Sequence, residues 1–95
     1  MVQKYDIYIG SDNGSQRITD DYLSKITDWA NYSLPEGYTM LYGKGYWNGN
    51  SEDCLILDTM MDYENGLLKN LKNLKDELEQ KSILISKYNV DTEII

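Results

Sequence analysis

The chain has 95 residues and a formal net charge of −7 at pH 7, with a pI near 4.3. A chain of this length is expected to form one domain over residues 1–95. It buries only about 60–68% of the surface that its unfolded form exposes, so its stability should be modest. The acidity argues against nucleic acid as a direct partner, since affinity for a polyanion needs Lys and Arg that neutralise phosphates. It suits an ordinary solubilising surface, a DNA mimic, or a protein that docks on a basic partner.

Cysteine usage and the N-terminal sequence indicate a compartment. Cys54 is the single cysteine, so it cannot form an internal disulfide, and its apolar neighbours predict an inert core residue. No N-terminal apolar stretch is typical of a signal peptide or a membrane span. These features predict a cytoplasmic protein with no membrane partner.

The first part of the chain is predicted to form a strand and a helix. Tyr5–Ile9 has strand composition and is followed by a Gly- and Ser-containing loop. Thr19 is a candidate N-cap with two aspartates after it, which predicts a helix over about residues 20–33. Pro35 and Gly37 end that helix.

A long aromatic strand and its return strand come next. Tyr38–Trp47 reads as a strand, with a kink or bulge expected at Gly43 and Gly45. Asn48-Gly49-Asn50 is a hairpin turn signal. The unbroken apolar run Cys54–Leu57 indicates a central strand that is buried on both faces.

A second helix and a last strand complete the order of elements. Leucines at helical spacing after Gly66 predict an amphipathic helix that reaches about Leu78, and Ser82–Ser86 reads as the last strand. With right-handed crossovers, this order predicts an α+β, ferredoxin-like (split βαβ, β-α-β-β-α-β) fold with an antiparallel sheet and both helices on one face. An apolar second face is usually covered, and we expect another copy of the chain to cover it.

Four short patterns resemble an uncharacterised family of small bacterial and phage domains. They are Tyr8-Ile9-Gly10, Pro35-x-Gly37-x-Thr39, Gly43-x-Gly45-x-Trp47 and Glu79-Gln80-x-Ser82-Ile83-Leu84. In that family a helix ends at Phe-Pro-x-Gly and leads into a Thr-containing strand and a Gly-x-Gly-x-Trp segment. This chain has Leu34 in place of the Phe, and Gln80-Lys81-Ser82 where Gln-Glu-Ser is common. The resemblance covers most of the chain and implies the fold and a phage setting, but no activity and no catalytic residue.

Recognisable catalytic groups are missing from the sequence. It has no histidine, which removes catalytic triads and disfavours most transition-metal sites. A lone cysteine is a poor nucleophile, and Gly43-Lys44-Gly45 lacks P-loop spacing. We expect no enzyme, no cofactor and no metal. Three acidic clusters lack EF-hand spacing and are interpreted as solvated or capping groups: Asp20/Asp21, Glu52/Asp53 and Asp58/Asp62/Glu64. If an ion is bound, we expect it at the third of these clusters.

Two functions remain open. In the first, a homo-oligomer forms a pocket that binds a flat, nucleotide-type small molecule through aromatic stacking and a few cations. A phage protein of this kind would sequester a nucleotide immune signal in the host cytoplasm without turnover. In the second, the acidic surface inhibits a nucleic-acid-binding defence protein, as a DNA mimic or an anti-CRISPR protein does. We prefer the first, with these candidate ligand-binding residues and Lys4 as a further cation: Tyr8, Arg17, Tyr38, Tyr42, Lys44, Tyr46 and Trp47.

Overall fold

The protein is described by a computed structural model that covers residues 2–61 and 66–95. Its elements are β1 (Val2–Gly10), α1 (Asp20–Ser33), β2 (Thr39–Trp47), β3 (Asn50–Met61), α2 (Leu67–Glu77) and β4 (Leu84–Val90). The strands form one antiparallel sheet in the order β2-β3-β1-β4. The predicted α+β, ferredoxin-like fold is therefore confirmed. Two members of the third acidic cluster, Asp62 and Glu64, lie outside the described residues.

Helix α1 has the bounds that its sequence predicts. The Thr19 side chain accepts a hydrogen bond from the backbone N–H of Tyr22 at 3.2 Å, so Thr19 is the N-cap. The helix ends at Ser33, and Leu34 is its C-cap, whose N–H donates to the carbonyl of Ala30 just before the proline that cannot continue the helix. Tyr22, Ile26 and Ala30 are buried and form the apolar stripe that faces the sheet.

Helix α2 packs beside α1 on the same side of the sheet. Leu67, Leu71 and Leu74 are buried, as their helical spacing predicts. The indole N–H of Trp29 in α1 donates to the carbonyl of Asn70 in α2 at 2.9 Å, which joins the two helices. Within residues 2–61 and 66–95, no helix has the length and apolar character needed to span a membrane.

The β2–β3 hairpin has an unbroken register. Every residue from Thr39 to Trp47 has a partner in β3, so the bulge predicted at Gly43 and Gly45 is wrong. Packing explains the glycine at position 43 instead, since a Cβ there would lie 3.3 Å from the Sγ atom of Cys54 on the neighbouring strand. The glycine thus leaves room on this face for the Cys54 side chain.

Strand β3 of this hairpin is longer than the neighbouring strand β1, and the hairpin ends in a tight turn. Asn48 and Gly49 have φ values of 49° and 79°, which suits the two-residue turn in which both central residues are left-handed. Strand β1 ends at Gly10, opposite Cys54, so residues 50–53 of β3 pair with β2 alone. The tip of the hairpin therefore extends past the end of β1.

The two faces of the sheet have different environments. One face packs on the helices through fully buried side chains, among them Ile7, Leu55 and Leu57. The other face is not covered by any described element, so Cys54 and Ile56 are only half-buried. The prediction that this run is buried on both faces, with Cys54 in the core, is therefore wrong. We call this second surface the open face. Its larger side chains follow from strand alternation: Lys4, Asp6, Tyr8, Leu41, Trp47, Glu52, Cys54, Ile56, Asp58, Met60, Leu84 and Tyr88.

Candidate functional site

The extended hairpin tip and the loop after β1 enclose a cleft. Its volume is about 390 Å³, within the range of small-molecule pockets, and it is open to solvent on one side. Trp47 is 79% exposed at the end of β2. We call this feature the tip cleft, and its lining residues are Gln16, Gly45, Trp47, Asn50, Ser51 and Glu52.

Hydrogen bonds hold one wall of the tip cleft in place. The hydroxyl of buried Ser11 donates to the Oε2 atom of Glu52 at 2.7 Å, which links the loop to β3. The amide of Gln80 donates to the carbonyl of Ser11 at 2.8 Å, and that of Asn13 donates to the carbonyl of Glu79 at 2.7 Å. The loop is thus anchored both to the hairpin and to the segment after α2, so the Glu52 carboxylate has a defined position.

Gln16 has an unusual backbone conformation in the cleft wall. Its φ is 57°, in the left-handed region that residues other than glycine seldom adopt. Its N–H donates to the carbonyl of Asp12 at 2.7 Å, and the Asp12 carboxylate accepts hydrogen bonds from the N–H and hydroxyl of Ser15. Conformations of this kind are held by their surroundings and are frequent in ligand-binding loops. The turn directs Gln16 into the cleft lining.

Charged groups lie next to the cleft. The Nζ atom of Lys44 is 2.7 Å from Oδ1 of Asp53 on the neighbouring strand. This hydrogen bond raises the pKa of Lys44 and lowers the pKa of Asp53. The charge of Arg17 also lowers the pKa of both groups, and Arg17 directly follows Gln16 of the cleft wall in the sequence. Arg17 is exposed, and it forms no ion pair within 4 Å among the described residues.

The structure brings some of the sequence-predicted site residues together at the hairpin tip. Arg17, Lys44, Tyr46 and Trp47 all lie there. They do not share one surface, however, because successive side chains of a strand point to opposite faces. Trp47 is on the open face, whereas Lys44 and Tyr46 are on the helix side of β2, as is Tyr42. Tyr42 and Tyr46 are 65% and 76% exposed, because the helices do not cover this part of the hairpin.

Three other candidates lie away from the tip. Tyr38 precedes β2, where its hydroxyl donates to Oδ1 of Asn31 in α1 at 2.7 Å. Tyr8 lies on the open face, paired across the sheet with neighbours in β3 and β4. Lys4 is 3.0 Å from the carboxylate of Asp58 and 5.7 Å from the ring centre of Tyr88, so it is engaged within the open face.

Several cleft residues were not among the sequence candidates. Gln16, Asn50, Ser51 and Glu52 are polar residues of a loop and a hairpin end, positions that usually indicate only a solvated turn. One signal could have found Glu52. Counting outward from the two-residue turn pairs Glu52 with Gly45, next to Trp47, on the same face.

Two titratable side chains away from the cleft, those of Cys54 and Tyr22, have raised pKa values. Among residues 2–61 and 66–95, no group of three or more Cys, Asp or Glu is placed to hold a metal ion. Partial burial raises the pKa of the Cys54 thiol, which reduces its nucleophilic thiolate form at neutral pH. Burial also raises the pKa of Tyr22 to about 12, and its hydroxyl donates to the carbonyl of Gly10 at 2.6 Å. Neither group lines the tip cleft.

Comparison with known proteins adds no family. No protein-family model matches the chain, and a search of curated proteins finds no similar sequence. The class that fold and site define is a small ferredoxin-like domain with a cleft at one end of its sheet.

Proposed function

We propose that this protein binds a small nucleotide-type ligand in the tip cleft, without chemical turnover. The observation that carries the proposal is an indole ring, that of Trp47, which is 79% exposed at the rim of a cleft of about 390 Å³ whose other side chains are polar. An exposed indole is a flat surface on which a base can stack. The amide of Gln16 and the carboxylate of Glu52 supply hydrogen-bond partners for the edge of a base or a ribose.

The charges suggest how the ligand is oriented. A phosphate is repelled by Glu52 and attracted by Arg17, whose charge has no ion-pair partner among the described residues. We therefore place the base beside Trp47 and the phosphate on the Arg17 side. The acidic net charge does not prevent this, because salt screens charges beyond about 8 Å and lets nearby cations dominate.

Tight binding in this cleft needs more enclosure than one chain supplies. A protein that sequesters a scarce signal needs a dissociation constant near nanomolar, about −12 kcal/mol. Small-molecule sites of high affinity bury most of the ligand, whereas the tip cleft is open on one side. The proposal therefore includes a homo-oligomer in which a second copy borders the cleft. With the phage setting that the family resemblance implies, the ligand is a nucleotide immune signal and the protein acts in the host cytoplasm.

The test is retention of intact nucleotide. The protein is incubated with a panel of cyclic and ADP-ribose-type nucleotides, freed of unbound material and heat-denatured, and the released compounds are identified. We expect an unaltered nucleotide from the wild type and none from Trp47→Ala. Tyr32→Ala is the matched control, because Tyr32 is 85% exposed on α1 and does not line the cleft. An altered nucleotide would establish an enzyme, and no retention by the wild type would refute ligand binding.

A second function is favoured by the acidic outer surface of α1. Asp20, Asp21 and Asp28 are exposed on this helix, and only Asp21 has an ion-pair partner among the described residues, Lys25 at 3.6 Å. Such a surface suits inhibition of a nucleic-acid-binding defence protein, as in a DNA mimic. This function predicts binding to a basic partner that weakens with salt and is lost in Asp20→Asn/Asp28→Asn. Trp47→Ala would leave that binding unchanged.

A further inference from the structure

The outer edge of β2 has no partner strand among the described residues. The strand is nine residues long and pairs only with β3, so one side of its backbone presents free N–H and C=O groups. Natural proteins usually protect such edges with proline, charged residues, bulges or short strands. β2 has no proline and no bulge, and Lys44 is its only charged residue. We propose that this edge pairs, antiparallel, with the same edge of a second copy, about a twofold axis at Gly43.

The side chains of β2 are complementary to themselves in this register. Residues at equal distances from Gly43 lie opposite each other, so Tyr42 faces Lys44 of the second copy, and the contact occurs twice. The Lys44 ammonium group, which is already 2.7 Å from Oδ1 of Asp53 in its own chain, would lie beside this tyrosine ring as well, and an ammonium beside a tyrosine ring is a favourable cross-strand pair. Met40 faces Tyr46 of the second copy in the same way, and sulfur-aromatic contacts are also favourable. Gly43 meets itself at the axis without steric conflict.

The opposite edge of the sheet does not have this property. β4 also lacks a partner on its outer side, and its central residue is Lys87. Full antiparallel pairing of two β4 strands would place Lys87 opposite itself, and like charges directly opposite destabilise a pair. The sheet therefore has one edge that favours self-pairing and one that resists it.

The β2 pair is extensive enough for a stable contact. Full pairing of two nine-residue strands forms about eight to ten backbone hydrogen bonds, depending on which residues point outward. Stable protein interfaces contain about ten. The same register places Thr39 of the second copy opposite Trp47, at the rim of the tip cleft. The pairing goes beyond the proposed function, because it is derived from the strand alone and is measured without nucleotide.

Two substitutions at one position test the register. Tyr42→Lys places an ammonium group opposite Lys44 of the second copy, whereas Tyr42→Glu places a carboxylate there. Tyr42 is 65% exposed, so both variants should keep the fold, which circular dichroism verifies. By light scattering on a sizing column, at about 100 μM load, we expect dimers for the wild type and Tyr42→Glu. We expect at least tenfold weaker dimerisation for Tyr42→Lys, in line with like-charge repulsion across strands.

If only the general repulsion between acidic chains mattered, Tyr42→Lys would dimerise more strongly than Tyr42→Glu. Tyr42→Lys moves the net charge of −7 towards zero and Tyr42→Glu moves it away, so stronger association of Tyr42→Lys would overturn the proposal. Leu84→Lys is the control on the open face, where Leu84 is 65% exposed at the far edge of the sheet, and it should leave the dimer intact. Dissociation by Leu84→Lys but not by Tyr42→Lys would assign the interface to the open face instead. A monomeric wild type would overturn self-pairing altogether.

Discussion

The two tryptophans should respond very differently to truncation. Trp47 is 79% exposed, so about a fifth of its surface is covered by the protein. For a side chain of about 250 Å², that is about 50 Å², or about 1.3 kcal/mol at 25 cal/mol per Å². A small loss of strand propensity adds to this. We expect Trp47→Ala to lower the free energy of unfolding by about 1–2 kcal/mol.

Trp29 provides the internal comparison. It packs against the core and its indole N–H joins α1 to α2 through the carbonyl of Asn70. Trp29→Ala therefore removes packing and an interhelical hydrogen bond, and we expect a loss of about 3 kcal/mol, as for other large-to-small changes against a core. The difference in lost unfolding free energy between the two variants distinguishes an indole packed in the fold from an indole that is exposed.

Urea unfolding, followed by far-UV circular dichroism, measures both values. Protein at about 1 μM keeps the contribution of self-association small, since dimer formation stabilises by mass action. The midpoints should differ while the denaturant slope stays constant. Equal losses for the two variants would refute the reasoning, because Trp47 would then be packed in the folded chain. Its role as a stacking surface would have to be abandoned.

Further predictions concern the cap, the buried tyrosine and the cleft loop. Thr19→Ala should lower stability by about 1 kcal/mol in the same assay, because an N–H at the start of α1 loses its acceptor. Tyr22 keeps its proton to about pH 12 in the folded state but ionises near pH 10 when unfolded. The free energy of unfolding should therefore fall above pH 10 by up to about 1.4 kcal/mol per pH unit. The fall should be less steep in Tyr22→Phe. Parallel curves of unfolding free energy against pH for the two proteins at pH 9–11 would contradict this. Gln16→Gly should raise stability by about 1 kcal/mol, since glycine tolerates the left-handed φ, while nucleotide retention falls.

Local sequence signals predicted the helices and the hairpin well, but not the extent of the strands. Thr19 and Pro35 set the bounds of α1, and the Asn-Gly turn lies where it was expected. The polar residues Glu52 and Asp53 belong to β3 although they lie outside its apolar run, because the hairpin partner supplies their hydrogen bonds. The ends of such strands are decided by pairing across the sheet, which amino-acid composition does not reveal.

The candidate site could be predicted only in part, for a geometric reason. Tyr46 and Trp47 are adjacent in a strand, so they cannot stack on the same ligand face, and alternation alone would have separated them. The cleft itself depends on a loop whose position is set by distant contacts. Ser11 bonds to Glu52 and Gln80 bonds to Ser11, over 41 and 69 positions of sequence. No local pattern encodes such contacts.

The hairpin tip and the hydrophobic core occupy different parts of the molecule. The fully buried side chains, such as Ile7, Ile26 and Leu55, lie in the double layer of helices and sheet. The cleft residues lie past the end of β1, in a molecule that extends 40 Å along its longest axis. Substitutions at the exposed Ser51 therefore change the cleft lining with little effect on folding, and substitutions at Trp47 do so with the modest loss of stability derived above. The shape and charge of the cleft can therefore be varied through a few tip residues while the core stays as it is.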